Sequence, residues 1–529
     1  MMSLPVVLLL AILVVYLISR ATSRNGHLPP GPSGFPVIGN ALQMPKKNEW
    51  AVFAQLAEKY GDVMHLSALG SSIILLTSRQ AISDLLEKRG HIYSDRPVLP
   101  MASGLIGYSR FTVLAPYGFI LKESRKLITG TINARNAPQL QRVIEGKVLH
   151  LLPRLLASPN EFRPHLRWLV ASIVLQITHG RDISDSSDPL VQLAELVNEQ
   201  FSATATPGKF LVDLFPFLRH VPEWFPGAGF KAFAREARDT IDRILDEPYQ
   251  EVKEQMLLGK AIPSFTSQII ENNPNPKPED LFVHKMASTQ FYLAGADTSV
   301  SALETMFLIL ALYPDIQRKG QAEVDAALGS HQLPKFSDRD SLPYVAALVK
   351  EIHRWKPVAP LALPHLAMRD DTYNGYHIPK GATVIANSWY VLQATQDLRM
   401  LRICSNRAIL HDPSIYPDPF EVKPERYLER KGEDANPDPE TFSFGYGRRI
   451  CPGQILAEDT IFLVTATVLT MFNVANAQTL DGHVIRKDED IDYVGGTITH
   501  PPPFTCTITP RSATAELFIV TSLESHEQC

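Results

Sequence analysis

The stretch FGYGRRICPG, Phe444 to Gly453, leaves this 529-residue chain the fewest options. One cysteine, Cys451, sits among glycines. Arginines stand just before it, and an acid-bearing helical segment, Ile455 to Thr470, follows. Glycines let backbone amides approach a sulfur closely. Amides and a helix N-terminus stabilise a thiolate and lower its pKa. Such a thiolate is a soft ligand suited to iron or zinc. No second Cys or His stands at ligand spacing, which argues against zinc. A merely buried structural cysteine would not require this pattern of glycine and arginine.

The rest of the composition narrows the class. The chain is 45% hydrophobic and 20% charged, an ordinary globular balance. Length alone suggests roughly three or four domains, but no low-complexity linker and no repeat divides it. A net charge of −5 without a long basic run does not point to a nucleic-acid partner, and none is expected. Four cysteines, Cys404, Cys451, Cys506 and Cys529, are too few for a disulfide framework and fit a reducing compartment. No Asn-x-Ser/Thr sequon marks the body as lumenal.

Residues Met1 to Ser19 carry no charged side chain, and Leu4 to Ile18 is almost wholly apolar. About 20 residues span a bilayer. No basic residue precedes this run and no small-x-small cleavage site ends it, whereas Arg20 and Arg24 follow it. An uncleaved signal anchor at 1–20 is therefore expected, with the body on the cytosolic side. The segment LPPGPSGFPVIGN, Leu28 to Asn40, has four prolines that exclude helix. It predicts a stiff, extended connector over 21–40.

Periodicity in the body predicts a helix over Trp50 to Tyr60, strands within Val63 to Ser78, and helix over Ala81 to Arg89. From Pro138 to about Glu323 the pattern is mostly helical, broken at FPGAGF (Phe225 to Phe230) and NNPNPKPED (Asn272 to Asp280). Asp280 can cap a long apolar helix over Leu281 to Leu312. Strands return at Tyr376 to Ile378 and Ala382 to Asn387. The class is mainly α with small β-sheets.

Two further patterns stand out. The long apolar helix contains Ala294-Gly295-Ala296-Asp297-Thr298-Ser299. A glycine, an acid and an alcohol in such a helix are costly unless they serve something. Glu351 and Arg354 stand at i,i+3 on one helix face, a spacing that usually marks a solvated pair.

Phe444-x-x-Gly447-x-Arg449-x-Cys451-x-Gly453 resembles the haem-binding loop of the cytochrome P450 family at five fixed positions. The resemblance covers the chain from about Leu28 to the C-terminus. It implies the cytochrome P450 fold behind a transmembrane anchor, with the catalytic domain over 41–529. It implies haem b held by Cys451, whose thiolate donation favours O–O cleavage, with Arg449 on a propionate. Asp297 and Thr298 would relay protons where the helix opens near Gly295 to admit dioxygen. Glu351, Arg354 and Arg426, the last in Pro424-Glu425-Arg426-Tyr427, would form a structural triad locking the cysteine loop. His365 and Arg125 would be propionate partners, and Ser94-Asp95-Arg96-Pro97 also fits the family. Leu121 departs from it, because an aromatic is usual there and one propionate hydrogen bond is then expected to be missing.

The resemblance further implies a monooxygenase acting on a small apolar organic substrate with dioxygen. NADPH–cytochrome P450 reductase would supply the electrons, since the chain has no flavin or nicotinamide fingerprint. The setting would be the endoplasmic reticulum membrane, single-pass. The hinge, Tyr117-Gly118 and FPGAGF are similar to fungal microsomal members of the O-methylsterigmatocystin oxidoreductase type, which points to secondary metabolism or xenobiotic oxidation. Substrate choice is expected from the loop between Pro97 and Pro116, from Phe201 to Phe217, from Val300, and from Val358 to Leu363.

One segment does not fit. Removing Tyr390 to Arg407 joins Trp389 to Ala408 and restores a run familiar in the family. These 18 residues correspond to a whole number of codons and carry Cys404, Arg399, Arg402 and Arg407. A retained short intron, a tolerated insertion and a functional loop all remain open. So do two other functions, a peroxide rearrangement or dehydration without external electrons, and a haem-binding but catalytically impaired protein.

Overall fold

The computed structural model describes residues 27–45, 47–205, 209–329, 332–389, 416–429, 435–487 and 491–526. The anchor expected at 1–20, residues 21–26 of the connector and the segment 390–407 lie outside the described residues. The chain forms two compact units. The first takes the described residues up to Pro97, those of Ala359–Pro419, and Phe444–Ile450. The second takes Val98–Val358, Phe420–Ser443 and the residues from Cys451 onward.

In the first unit, helix α1 (Glu49–Tyr60) buries Trp50, Phe53, Ala54 and Ala57. That is the i, i+3, i+4, i+7 face of an amphipathic helix. Beneath it lies a four-stranded sheet of β1 (Val63–Ala68), β2 (Ser71–Leu76), β3 (His365–Leu366) and β6 (Thr383–Ala386), in spatial order β1-β2-β6-β3. β1 and β2 are antiparallel, β2 and β6 parallel, and β3 and β6 antiparallel. The small hairpin of β4 (Asp371–Tyr373) and β5 (Tyr376–Ile378) turns through Asn374 and Gly375. Both have positive φ, as an Asn-Gly turn of the primed type requires.

Residues 27–40 contain no helix, as the prolines dictate. They are not a free-standing connector, however. His65 N–H donates to the Pro30 carbonyl at 3.0 Å and Asn40 N–H to the Ser67 carbonyl at 2.5 Å. The Asn40 side chain accepts from Ser67 N–H at 2.9 Å and donates to the Pro32 carbonyl at 3.0 Å. A Cβ on Gly31 would collide with the His65 carbonyl oxygen. The extended backbone that proline imposes leaves these polar groups free to dock on β1.

The second unit is helical around α8 (Pro278–Leu312). Earlier come α2 (Phe119–Thr131), α3 (Ala137–Ala157), α4 (Phe162–His179), α5 (Pro189–Thr204), α6 (Gly229–Leu257) and α7 (Phe265–Asn272). Later come α9 (Pro314–Leu328), α10 (Pro343–Trp355) and α11 (Gln454–Met471). The small strand pairs are β7 (Phe472–Thr479) with β10 (Phe504–Pro510), and β8 (Val494–Gly495) with β9 (Thr499–His500). α8 starts earlier than the sequence pattern suggests. Lys277 is its N-cap and Pro278 its first residue, where a missing N–H costs nothing. Asp280 therefore sits in the first turn, favourable to the helix dipole, rather than capping. The helix ends at Leu312, just before Tyr313-Pro314, because the residue preceding a proline avoids helical angles.

α8 and α11 are long and apolar enough to cross a membrane, but 72% and 78% of their apolar windows are buried within the protein. Both are core helices here. Gly295 lets α4 approach α8: a Cβ there would stand 3.1 and 3.3 Å from the Val174 methyls.

Beside this core, α10 carries a fully buried ion pair. Arg354 donates to both Glu351 oxygens at 2.7 Å, and neither side chain is exposed. Arg426 Nε reaches Glu351 at 3.3 Å, Tyr427 OH donates to it at 3.2 Å and Lys423 N–H at 2.7 Å. Both guanidiniums also donate to the Glu421 carbonyl, at 3.0 and 3.1 Å. Ser443, next to the cysteine loop, donates to the His353 carbonyl of α10 at 3.3 Å. The pair is thus buried, contrary to the usual meaning of an i,i+3 spacing. Removing one partner of a buried pair strands the other charge and costs about 3–5 kcal/mol. Glu351→Gln is expected to destabilise the second unit by about that amount, read as a fall in the urea midpoint.

Candidate active site

The cysteine loop passes from the first unit to the second between Ile450 and Cys451. In the first unit, Gly445 and Gly447 both have positive φ. A Cβ on Gly447 would run into the Leu86 carbonyl oxygen, in the π-helical turn Ser83–Lys88. This glycine is needed for backbone approach to Leu86, not to the sulfur. Phe444 is partly buried. Tyr446 is fully buried, with its OH and the Ser388 hydroxyl 2.5 Å apart. Arg449 Nε donates to the Ser94 carbonyl at 2.7 Å.

In the second unit, Cys451 exposes its side chain to solvent while protein closely surrounds its sulfur. Gly453 caps α11, and its amide donates to the sulfur. A Cβ on Gly453 would meet Sγ at 3.8 Å, an ordinary contact. Arg125, half-buried on α2, is the guanidinium that acts on the sulfur. Burial pushes the Cys451 thiol pKa up; the Gly453 amide and Arg125 pull it down, and burial prevails. The sequence pattern predicts the reverse, a depressed thiol, because it shows the amides and arginine but not the desolvation. Leu121, one turn before Arg125, is buried in the core.

His365, Arg96 and Arg449 gather in the first unit, all buried. His365 Nδ1 lies 2.6 Å from the Tyr93 carbonyl. Burial, then the charges of Arg96 and Arg449, lower its pKa to about 3, so it is neutral. Arg96 donates to the Leu363 and Pro364 carbonyls at 2.7 Å each. Two buried guanidiniums suit an anionic group such as a carboxylate. Sequence gave Arg96 only as part of a matching tetrapeptide; its place beside His365 comes from β3, which no local pattern announces.

α8 runs as unbroken α-helix through Ala294 to Thr298; the opening expected near Gly295 is not there. These five residues do form an accessible window between buried stretches of the helix. Thr298 donates its hydroxyl to the Ala294 carbonyl at 2.8 Å. Asp297 turns elsewhere, to His500 Nε2 at 3.2 Å. Burial would raise the Asp297 pKa, but His500 holds it below the usual carboxylate range. His500 was not flagged by the sequence, nor were its other partners.

The loop after Pro97 is strapped down within the second unit. Tyr108 OH donates to the Val197 carbonyl at 2.8 Å, and Tyr108 packs edge-on against Phe201 at 5.1 Å. Asp213 accepts from the Met101 amide at 2.8 Å. Val300, expected to face substrate, is 1% exposed and belongs to the core. Among the described residues no group of three His, Cys, Asp or Glu is arranged to hold a metal ion. The lone sulfur of Cys451 instead fits a group that takes one thiolate ligand, as haem b does.

Comparison with known proteins agrees. The family model for cytochrome P450 matches residues 29–396 and 403–505; the unmatched residues 397–402 fall inside the 390–407 segment. Cytochrome P450 monooxygenase 208 of Postia placenta is 42% identical over 523 residues, covering 99% of this chain and 98% of that protein. Cytochrome P450 monooxygenase claR of Ampulloclitocybe clavipes is 38% identical, covering 96% and 91%. Tryptamine 4-monooxygenase of Psilocybe cyanescens is 36% identical, covering 94% and 96%. With a helical body, small sheets and a matching cysteine loop, the chain belongs to the cytochrome P450 family, as a haem-thiolate monooxygenase.

Proposed function

We propose that Cys451 is the thiolate ligand of haem b, with Arg125, His365 and Arg449 serving its propionates and Phe444, Gly447 and Gly453 shaping the loop. The observation that carries this is the sulfur itself. Cys451 and Cys506 are the described cysteines. Burial pushes Cys506 to about 12 with nothing to offset it, whereas Cys451 has the Gly453 amide and the Arg125 guanidinium acting on its sulfur. Because burial keeps the Cys451 thiol protonated, a cation at the sulfur is what would drive the proton off. When bound, the haem supplies the thiolate-ligated iron at which dioxygen is reduced and its O–O bond cleaved. Arg96 joins the propionate partners on its position beside His365. As a neutral imidazole with Nδ1 committed to Tyr93, His365 offers Nε2, which donates only once protonated.

Asp297 and Thr298 are proposed to handle protons from the accessible window of α8. Electrons come from NADPH through NADPH–cytochrome P450 reductase, in keeping with a chain that carries no nucleotide fingerprint of its own. The anchor at 1–20 places the protein in the endoplasmic reticulum membrane, single-pass, with the body over 41–529 in the cytosol. The substrate is a small apolar organic molecule of secondary metabolism or of foreign origin. The relative named as a tryptamine 4-monooxygenase supports a small organic substrate.

The alternative of a haem-binding but catalytically impaired protein, on account of the segment 390–407, gains no support from the comparisons, since the family model matches all of that segment except 397–402.

Reconstitution with reductase, NADPH and isotopically heavy dioxygen tests the function over a panel of small apolar molecules. One heavy oxygen atom per product, dependent on NADPH, is expected. Product formed without NADPH or dioxygen would make the chain a rearranging or dehydrating enzyme instead. Within the loop, Gly447→Ala is expected to destabilise by about 2–5 kcal/mol, from left-handed strain and overpacking, and to lose haem. Gly453→Ala should keep it, and the haem absorbance of the purified variants reads this directly.

A further inference from the structure

Asp297, Ser301 and Glu304 stand at i, i+4 and i+7 of α8 and so share one face. Opposite them lies β9. Ser301 donates to the Thr499 carbonyl at 2.5 Å. Thr499 N–H donates to the Val358 carbonyl at 2.9 Å, and its hydroxyl lies 3.3 Å from the Pro357 and Val358 carbonyls. The next residue, His500, is therefore held from both sides. Its Nε2 is 3.2 Å from Asp297 and its Nδ1 3.2 Å from Glu304. Glu304 is wholly buried and accepts from Arg163 of α4 at 2.7 Å. Thr305, one residue on, lies 3.0 Å from the buried Tyr493 hydroxyl. The charged and titratable groups acting around His500 are thus Asp297 and Glu304 from α8, Arg163 and Arg167 from α4, and Tyr493. Two carboxylates, one guanidinium and one imidazolium make the inner array neutral.

We propose that His500 is the positioning residue for proton delivery by Asp297: it ties that carboxylate to Glu304 and Arg163 and fixes where its proton is presented. The inference rests on the monooxygenase reading. Asp297 and Thr298 leave the helix about 100° apart, and Thr298 is turned onto Ala294. The acid is therefore aimed by His500 and not by its sequence neighbour. Burial alone would lower the His500 pKa, but the two carboxylates raise it to about 9, so the array is charged at neutral pH. In the full reaction, substrate R–H, dioxygen, NADPH and a proton give R–OH, water and NADP+. Protons delivered in place let one oxygen leave as water. Otherwise dioxygen takes two electrons and two protons and leaves as hydrogen peroxide.

The test compares wild type with His500→Gln and Glu304→Gln in haem-loaded protein, reconstituted with reductase and NADPH. Hydrogen peroxide and dioxygen consumption are measured between pH 6 and 10. A positioned general acid contributes about 10²–10⁴-fold, so His500→Gln is expected to raise the peroxide-to-water ratio about tenfold or more, with the carbon monoxide spectrum unchanged. The wild-type ratio should climb as pH rises through about 9; His500→Gln should be flat, and Glu304→Gln should climb at lower pH. A structural role alone would leave all three ratios equal, and that result overturns the inference.

Thermal unfolding is a second readout that needs no turnover. The raised His500 pKa stabilises fully below the unfolded value near 6.5 and is lost as pH rises through about 9. The melting temperature gap between wild type and His500→Gln should close across that window. A gap independent of pH also overturns the inference, whereas wild type that consumes no dioxygen with reductase sinks the monooxygenase reading itself, and the thermal arm then still reports whether the two carboxylates hold His500 charged.

Discussion

The protein packed around the Cys451 sulfur, on a side chain that still reaches solvent, is the constraint around which the site is arranged. Taking a thiolate out of water is unfavourable, and here that penalty outweighs the Gly453 amide and the Arg125 guanidinium. Those two groups reduce the cost of the negative charge without removing it. In that setting a bound cation would have to displace the proton from the sulfur. The loop serves that end by rigidity. Gly447 lies against Leu86, Tyr446 against Ser388 and Arg449 against Ser94, so the backbone leading to Cys451 is fixed before any ligand arrives.

The same economy of charge recurs in the second unit. Glu351 is fully buried, yet it receives two guanidiniums, a phenol and an amide. Glu304 is fully buried and receives Arg163 and His500. In each case one helix supplies the carboxylate and a distant segment supplies at least one of its cations, Arg426 for Glu351 and Arg163 and His500 for Glu304. Such arrays are unforgiving, since loss of one member strands the others in a low-dielectric interior. They therefore hold distant parts of the chain in one arrangement: residues 421–427 against α10, and β9 against α8.

Much of this was legible in the sequence because it is local. The apolar run of α8, the strands near Val63 and Tyr376, and the cysteine loop are contiguous patterns, and each element appears within a few residues of its expected place. What escaped notice depends on tertiary contact. The Glu351–Arg354 spacing reads equally as a surface pair, and only burial separates the two meanings. Gly295 seemed to mark an opening in α8; it marks the approach of Val174. Val300 has the residue type of a pocket wall and is core. Glu304 was visible as a charge in an apolar helix, three residues past Ser301, and could have been singled out. Its partner His500, almost two hundred residues away, could not. The depressed thiol expected at Cys451 failed for the same reason, because sequence shows the donors around a group but not how much water it has lost.

The measurement that bears most directly on the central claim is the carbon monoxide difference spectrum of the reduced full chain beside Cys451→Ser. Thiolate ligation by Cys451 predicts a strongly red-shifted Soret band in the full chain and its loss in the variant. A red-shifted band that survives in Cys451→Ser, or haem-loaded full chain without one, would contradict the assignment.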